Sequence, residues 1–149
     1  MVLSSYSKIN LSLLVNSKKK SALHNIQSYF CLINLKDEIK IKKIDRKSDK
    51  INFTGPFSKL INKKDNSIKS VLVLLRKLKL ISSCYSVVVK KKIPVFAGLG
   101  GGTSNAFTVM KYVLGKKLSK KNLNVVKKKI GSDLELFFYK QGFLKNLGS

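Results

Sequence analysis

A glycine-rich run at residues 94–105, PVFAGLGGGTSN, constrains the fold of this chain more than any other part of its sequence. It follows the β-branched stretch 85–89 and precedes an apolar pattern with helical spacing that begins at Ala106. Four glycines within five positions let the backbone approach a ligand closely and adopt positive φ. Their amides, together with the partial positive charge of a helix N-terminus, are suited to an anion such as phosphate. The run therefore predicts a strand, a phosphate-binding loop and a helix, although a plain flexible loop before a helix has the same composition.

The residues around the glycines limit the classes of phosphate-binding loop to which this run can belong. Thr103 and Ser104 lie at the predicted helix start, where a hydroxyl can bond a phosphate oxygen or a Mg²⁺ ion held by that phosphate. Neither G-x-x-x-x-G-K-[ST] nor G-x-G-x-x-G fits the run, so P-loop and Rossmann dinucleotide-binding patterns have no support.

The length and composition are those of a single globular domain. A chain of 149 residues can bury about two-thirds of its unfolded surface, and 44% of the residues are hydrophobic. No apolar run approaches the ~18–20 residues of a membrane span, and the first residues lack the layout of a signal peptide. Cys31 and Cys84 have no metal-type spacing and are most simply reduced core thiols. These features predict a cytoplasmic protein without a membrane segment.

The charge is strongly basic, with 31 Lys and Arg against 7 Asp and Glu, a net charge of +24. Such a surface attracts polyanions non-specifically. Only Arg46 and Arg76 are arginines, and the lysine runs stand beside abundant Ile and Asn, which A/T-rich codons also encode. A dedicated nucleic-acid binder more often uses arginine with interspersed aromatic residues. Drift in base composition is therefore favoured over a nucleic-acid role, and both remain open.

Apolar periodicity predicts an α+β fold, because strands come first and helices later without strict alternation. In the first strand, Ile9, Leu11 and Leu13 form the predicted apolar face, whereas Lys8 and Asn10 lie side by side on the polar face. One helix begins near Ser67, one runs from the glycine loop to Gly115, and one is capped by Ser119 and buries Leu123, Val126 and Ile130. The strands are predicted at 6–15, 26–35, 37–44, 51–54, 85–90 and 137–144.

Taken whole, the string P-x-x-x-G-L-G-G-G-[ST]-S-N closely resembles the ATP-binding loop of the GHMP small-molecule kinases. Residues 7–13, SKINLSL, are similar to an A-K-[IL]-N-L-x-L opening, and residues 130–138, IGSDLELFF, to an L-G-[AS]-D-V-P-F-F segment of the same family. Asp65, Asn66, Ser67 and Ile68 fit a further D-N-L-[IV] motif. The resemblance covers essentially all 149 residues, with its motifs in the family's order.

The resemblance implies a GHMP-kinase N-terminal domain over residues 1–149, a two-layer mixed sheet with helices of the ribosomal-protein-S5-domain-2-like type. Family members continue beyond the equivalent of Ser149 into a second domain that closes the cleft. The expectation is therefore an ATP-dependent kinase domain without its C-terminal partner, inactive alone unless a separate polypeptide completes it.

The resemblance also implies the residues that hold ATP and its Mg²⁺. Asn66 and Lys91 are expected near the adenine, although Asn66 equally suits a helix cap. Ser104 is the one residue expected to reach Mg²⁺, through the phosphate. The implied loop residues are Pro94, Val95, Phe96, Ala97, Gly98, Leu99, Gly100, Gly101, Gly102, Thr103 and Ser104.

Lys8 and Asp133 are the implied catalytic pair. On the family pattern both approach the substrate hydroxyl, where Asp133 orients it or takes its proton while Lys8 stabilises the charge. From the residues alone, a turn cap after Gly131 is favoured for Asp133, and a solvated surface position for Lys8. Glu135 stands where the family usually has proline, and in an extended segment it would share a face with Asp133.

Asn10 and His24 are the implied substrate-binding residues, with His24 against the cytidine base of a small-molecule substrate. A lone histidine is otherwise more often a packing or surface residue. Leu23 departs from the family here, because a tyrosine that would stack on the base is expected at this position. Three rival interpretations remain: another GHMP small-molecule kinase, a basic nucleic-acid-binding domain on an S5-like fold, and a decayed, inactive product.

Overall fold

The computed structural model describes residues 1–15, 26–62, 65–139 and 141–146, which form a mixed sheet covered by helices. Two short 3₁₀ turns, Ser58–Leu60 and Gly115–Lys117, occur between the main elements. The strands and helices, in chain order, are β1 (Leu3–Val15), β2 (Ile26–Ile44), β3 (Lys50–Thr54), α1 (Ser67–Lys77), β4 (Cys84–Lys90), α2 (Gly101–Leu114), α3 (Lys120–Ile130), α4 (Leu134–Tyr139) and β5 (Gln141–Asn146).

The sheet has the order β1-β2-β4-β3, and β5 pairs with the first part of β2. All neighbours are antiparallel except β3 and β4, which run parallel because α1 carries the chain back across the sheet between them. The predicted α+β class is confirmed, and the glycine loop leaves the sheet directly after the central strand β4.

The core lies between one face of this sheet and the helices. Ile39, Val87 and Val89 point from the sheet into this core and are fully buried. The adjacent side chain Lys40 faces the opposite side and is exposed, as alternation along a strand requires. The helices contribute the larger share of the buried residues: Ile68, Val71, Leu72, Leu75, Ala106, Phe107, Val109, Met110, Leu114, Leu123, Val126, Leu134 and Phe137.

The helix predictions are confirmed by the caps that the structure shows. Asn66 caps α1 by accepting a hydrogen bond from the Lys69 amide at 3.0 Å. Ser119 caps α3 through the Asn122 amide at 3.3 Å, and Gly115 ends α2. In α3, Leu123 and Val126 are buried as predicted, and Ile130 is partly buried.

The predictions of separate strands at 26–35 and 37–44 and of the core face of β1 are wrong. Residues 26–44 form one strand, which continues past the polar residues near 36 through an irregularity that leaves residues 34 and 35 outside the register with β1. A second irregularity in β1 leaves Leu11 unpaired, with 67% of its surface exposed. Lys8 is buried because the glycine loop packs against it, whereas Leu11 is exposed at the second irregularity.

The predicted strand at 137–144 is also wrong in its first half. Residues 134–139 form the short helix α4, whose Leu134, Leu136 and Phe137 are buried, and only 141–146 form a strand. A continuous apolar run has no periodicity by which a strand could be distinguished from a buried helix.

None of the helices in the described part of the chain is long and apolar enough to cross a membrane.

Candidate active site

The glycine loop forms the mouth of a cavity of about 420 Å³. Gly98 and Gly100 adopt φ of 72° and 69°, and Gly100 is the N-cap residue of α2, so that the free amides of the first helical turn open on the loop. Every residue from 94 to 103 lines this cavity, as do Asn66 and Lys91. A larger cavity of about 760 Å³ lies on the other side of α2, but none of the loop glycines reaches it.

The loop is packed tightly where it meets α2. A Cβ on Gly101 would lie 2.9 Å from Cγ2 of Ile93, and one on Gly100 would lie 2.9 Å from Cζ of Phe137 and 3.2 Å from Cγ of Lys8. These contacts explain why glycine is needed at both positions, and they set the loop against the residues of the predicted catalytic pair.

Lys8 and Asp133 lie together beside this loop. The Lys8 ammonium is 3.4 Å from Oδ2 of Asp133, with 8% and 39% of the two side chains exposed. The Lys8 amide donates to the Leu99 carbonyl at 3.0 Å, which ties β1 to the loop. Asp133 stands in the turn before α4, so elements at opposite ends of the chain meet here. The arrangement offers a half-exposed acid supported by a buried cation.

Asn10 joins the same group, because its Oδ1 accepts a hydrogen bond from Nζ of Lys8 at 3.2 Å. The side-by-side placement predicted for these two residues is thus present. His24 lies outside the described residues. Its role and that of Asn10 in substrate binding remain predictions.

Glu135 does not share a strand face with Asp133, because it lies in α4. Its carboxylate instead accepts a hydrogen bond from Nζ of Lys127 at 2.6 Å. The expected clustering of two carboxylates is therefore wrong, and the ion pair with α3 accounts for the charge of Glu135.

Ser104 is turned away from the cavity, in contrast to Thr103. Its hydroxyl donates to the Tyr6 carbonyl at 2.6 Å and accepts from the Ser5 hydroxyl at 2.8 Å, and the residue is buried. Both contacts hold α2 against β1. The geometry therefore does not support the expectation that Ser104 reaches Mg²⁺, and the described hydroxyl residues that line the cavity are Ser67 and Thr103.

Lys91 is buried beneath the loop, where it forms an ion pair with Asp37. Its ammonium lies 3.3 Å from the place that a Cβ on Gly101 would take. Asp37 is fully buried and accepts further hydrogen bonds from the amides of Lys92 at 2.7 Å and Ile93 at 2.9 Å. A predicted position of Lys91 near the adenine stays a prediction, since the ammonium itself is engaged with Asp37.

Sequence reasoning missed Asp37 and Asn105 as supports of the loop. Nδ2 of Asn105, in α2, donates to Asp37 at 3.0 Å, and its buried Oδ1 has no hydrogen-bond partner among the described residues. Asp37 therefore links β2, the segment before the loop and the helix after it. The signal available in the sequence was its rarity, as one of only 7 acidic residues.

Glu38, the neighbour of Asp37 in β2, has a pKa below its usual value. The main cause of this lowered pKa is the hydrogen bond that the Glu38 carboxyl, on the open face of the sheet, accepts from Lys92.

No group of three or more His, Cys, Asp or Glu side chains that could hold a metal occurs among the residues that the structure describes.

Comparison with known proteins identifies the family of the chain. Residues 66–139 match the family model of the GHMP kinases N terminal domain. The chain belongs to the GHMP kinase family and corresponds to its N-terminal part. A 4-diphosphocytidyl-2-C-methyl-D-erythritol kinase from Pelagibacter ubique (strain HTCC1062) is 45% identical over 136 residues, which cover 89% of this chain and 48% of that protein. A protein of the same name from Ureaplasma parvum serovar 3 is 33% identical and covers 100% of this chain and 58% of its own length.

Solved structures show the same fold. A crystal structure of 4-(cytidine 5'-diphospho)-2C-methyl-D-erythritol kinase superposes with a TM-score of 0.75 at 22% identity, covering 100% of this chain and 53% of that one. A homoserine kinase from Cytophaga hutchinsonii superposes with a TM-score of 0.65 at 19% identity, covering 89% and 51%. The chain spans about half the length of the curated relatives it matches.

Proposed function

We propose that this chain is the nucleotide-binding half of a kinase that transfers the γ-phosphoryl group of ATP to the 2-hydroxyl of 4-diphosphocytidyl-2-C-methyl-D-erythritol, a step of non-mevalonate isoprenoid precursor synthesis. The observation that carries the proposal is the 3.4 Å contact between Lys8 and Asp133 beside the glycine loop. The names of the relatives at 45% and 33% identity support the choice of substrate.

The chemistry of phosphoryl transfer suits these groups, because it demands mainly positioning and charge neutralisation. The amides of Gly100, Gly101 and Gly102 are suited to hold the triphosphate. Asp133, with 39% of its side chain exposed, is accessible to an incoming alcohol, which it would orient or deprotonate. Lys8 would stabilise the negative charge on Asp133 and on the transferring group.

ATP would arrive with Mg²⁺, and Ser67 and Thr103 are the described hydroxyl residues that line the cavity. Since the described residues hold no carboxylate cluster, the phosphates themselves would provide most of the ligands. Bound there, the ion would supply neutralisation of phosphate charge.

Titration calorimetry of the chain with Mg-ATP tests the nucleotide site. We expect saturable binding that is lost in Gly101→Val, because the new side chain would start 2.9 Å from Cγ2 of Ile93 and displace the loop. Wild-type protein that shows no ATP binding would contradict the proposal.

The nucleic-acid alternative is favoured by one observation, the net charge of +24. An RNA-binding assay over a salt series distinguishes it from the kinase. Binding to RNA that falls steeply with salt, together with no response to ATP, would favour the alternative.

Catalysis is a separate question from nucleotide binding, since the chain spans about half the length of the curated relatives it matches. The test is phosphate transfer to 4-diphosphocytidyl-2-C-methyl-D-erythritol, measured with the chain alone and after addition of the remaining half of the Pelagibacter ubique relative. We expect transfer only in the mixture and none with Asp133→Asn. Full transfer by the Asp133→Asn mixture would remove the assigned role of this acid.

A further inference from the structure

Phe96 is an exposed aromatic residue in a backbone conformation that favours glycine. Its φ is 62°, and 93% of its surface is exposed. A bulky side chain in the left-handed region is rare and strained, and such strain clusters at ligand sites. Because the ring is almost wholly in solvent, packing within the described chain does not offset this strain. Phe96 is nevertheless one of the residues that line the cavity at the glycine loop.

The lining of this cavity divides by chemistry into two kinds of surface. The amides of the loop glycines are suited to phosphate oxygens. Phe53, Leu60, Val95 and Phe96 supply apolar surface to the same cavity. A nucleotide has the matching parts, since its triphosphate is anionic and its base has two flat π-faces.

We propose that the ring of Phe96 stacks on the nucleobase of the nucleotide whose phosphates occupy the loop. The inference rests on the proposed function and adds to it a specific contact with the base. Stacking on an aromatic ring uses a π-face that every base has, so it is tolerant of base identity. Phe96 therefore contributes affinity, and any choice between adenine and other bases is left to polar groups.

Calorimetry on matched variants tests the contact. Phe96→Ala and Phe96→Leu both keep a Cβ, so each retains the backbone strain of the wild type while losing the aromatic ring. At a position exposed to 93%, neither is expected to change folding, which thermal unfolding checks. We expect both to weaken ATP binding about five- to twenty-fold, within the range for base–aromatic stacking. Inorganic tripolyphosphate, which has no base, should bind wild type and both variants equally.

A fluorescence measurement reports the stacking directly. The chain has no tryptophan, so Phe96→Trp introduces a single indole at the site. Its emission should be quenched saturably by ATP and not by tripolyphosphate. Tyr112→Trp is the control, because Tyr112 is 39% exposed and lines the other cavity. Its emission should respond to neither ligand.

The outcomes separate this inference from the proposed function. ATP affinity that is equal in wild type, Phe96→Ala and Phe96→Leu would overturn the stacking contact and leave the nucleotide site intact. An equal loss of tripolyphosphate binding in the variants would also overturn it, because the ring would then be supporting the loop. Wild-type protein that binds neither ligand would remove both proposals.

Discussion

At the scale of single residues, a comparison of Gly98 with Gly100 distinguishes two reasons for a glycine: a left-handed backbone and close packing. Both have positive φ, but a Cβ on Gly98 would have no atom within 4 Å, whereas one on Gly100 would meet Phe137 and Lys8. We expect Gly98→Ala to cost about 1 kcal/mol for the left-handed backbone alone. Gly100→Ala should cost about 1 kcal/mol more, because a buried ring or Lys8 must move. Urea unfolding of both variants measures the difference.

The same pair makes a functional comparison, since displacement of Lys8 would alter its contact with Asp133. Gly100→Ala should therefore reduce phosphate transfer in the completed enzyme more than Gly98→Ala does. Equal losses of stability in the two variants would show that the contacts of Gly100 are not restrictive.

Asp37 is expected to be the most important single polar residue for stability. Its carboxylate accepts hydrogen bonds from Lys91, the Lys92 and Ile93 amides and Asn105, and it is fully buried. Asp37→Ala would leave the Lys91 ammonium buried without its counter-charge. We expect a loss of about 3–5 kcal/mol in the free energy of unfolding, measured with urea.

Two variants serve as controls for this loss. Glu38→Gln removes the neighbouring ion pair with Lys92, which is on the surface, and should shift the unfolding midpoint far less. Adding Lys91→Met to Asp37→Ala removes the stranded charge and should recover part of the stability. If the double variant is no more stable than Asp37→Ala, an unpaired charge is not the cause of the loss.

The sequence motifs were sufficient to bring Lys8 and Asp133 together, but not to find Asp37. The predicted catalytic pair lies in two segments with strong patterns, so a resemblance is enough to predict both residues. Asp37 is 54 residues from Lys91 and 68 from Asn105, and no local pattern marks it. Partners of a buried carboxylate are set by tertiary packing, which a single sequence does not display.

At the scale of secondary-structure elements, Asn66 connects the start of α1 with the wall of the cavity at the glycine loop. Its Oδ1 caps the helix, and the residue also lines the cavity. Asn66→Ala should destabilise the chain by about 1 kcal/mol through loss of the cap. Asn66→Ser should keep the cap, because serine caps equally well. It removes the amide group that an adenine would contact, together with the hydrogen bond that Nδ2 donates to the Asn62 carbonyl at 3.3 Å.

Comparing ATP binding in these two variants distinguishes capping from base recognition. If Asn66→Ser has wild-type stability and weaker ATP binding, the amide contacts the base. If its ATP affinity is unchanged, Asn66 acts only as the cap, and the expectation of an adenine contact is wrong.

Elements with local signals were predictable, and elements defined by context were not. The caps Asn66 and Ser119 and the stop at Gly115 are short-range features, so α1, α2 and α3 follow from the sequence. The strand β2 continues through the buried Asp37. In the sequence, a charged residue at this position indicates the end of a strand, because the partners that allow its burial are not visible. The segment that forms α4 is a short apolar run, which is compatible with a strand or with a buried helix, so tertiary packing decides between them.

At the scale of the whole molecule, the net charge of +24 opposes compactness. Part of that charge lies on the open face of the sheet, where Lys40 and Lys42 are exposed on β2 opposite β4. Repulsion among exposed charges is screened by salt, with a Debye length of about 10 Å at 0.1 M. The folded state should therefore gain stability as salt is added.

We expect the unfolding temperature to rise by several degrees between about 0.02 and 0.3 M NaCl, where the Debye length falls severalfold. Lys40→Glu with Lys42→Glu lowers the net charge from +24 to +20, since each change removes one positive and adds one negative charge. This variant should be more stable at low salt and respond less to NaCl, because less repulsion remains to be screened. The slope of unfolding temperature against salt measures the effect in both proteins. A wild-type slope of zero would mean that the lysines lie too far apart to repel one another. Equal, non-zero slopes in the two proteins would mean that the repulsion arises from charges outside the open face of the sheet.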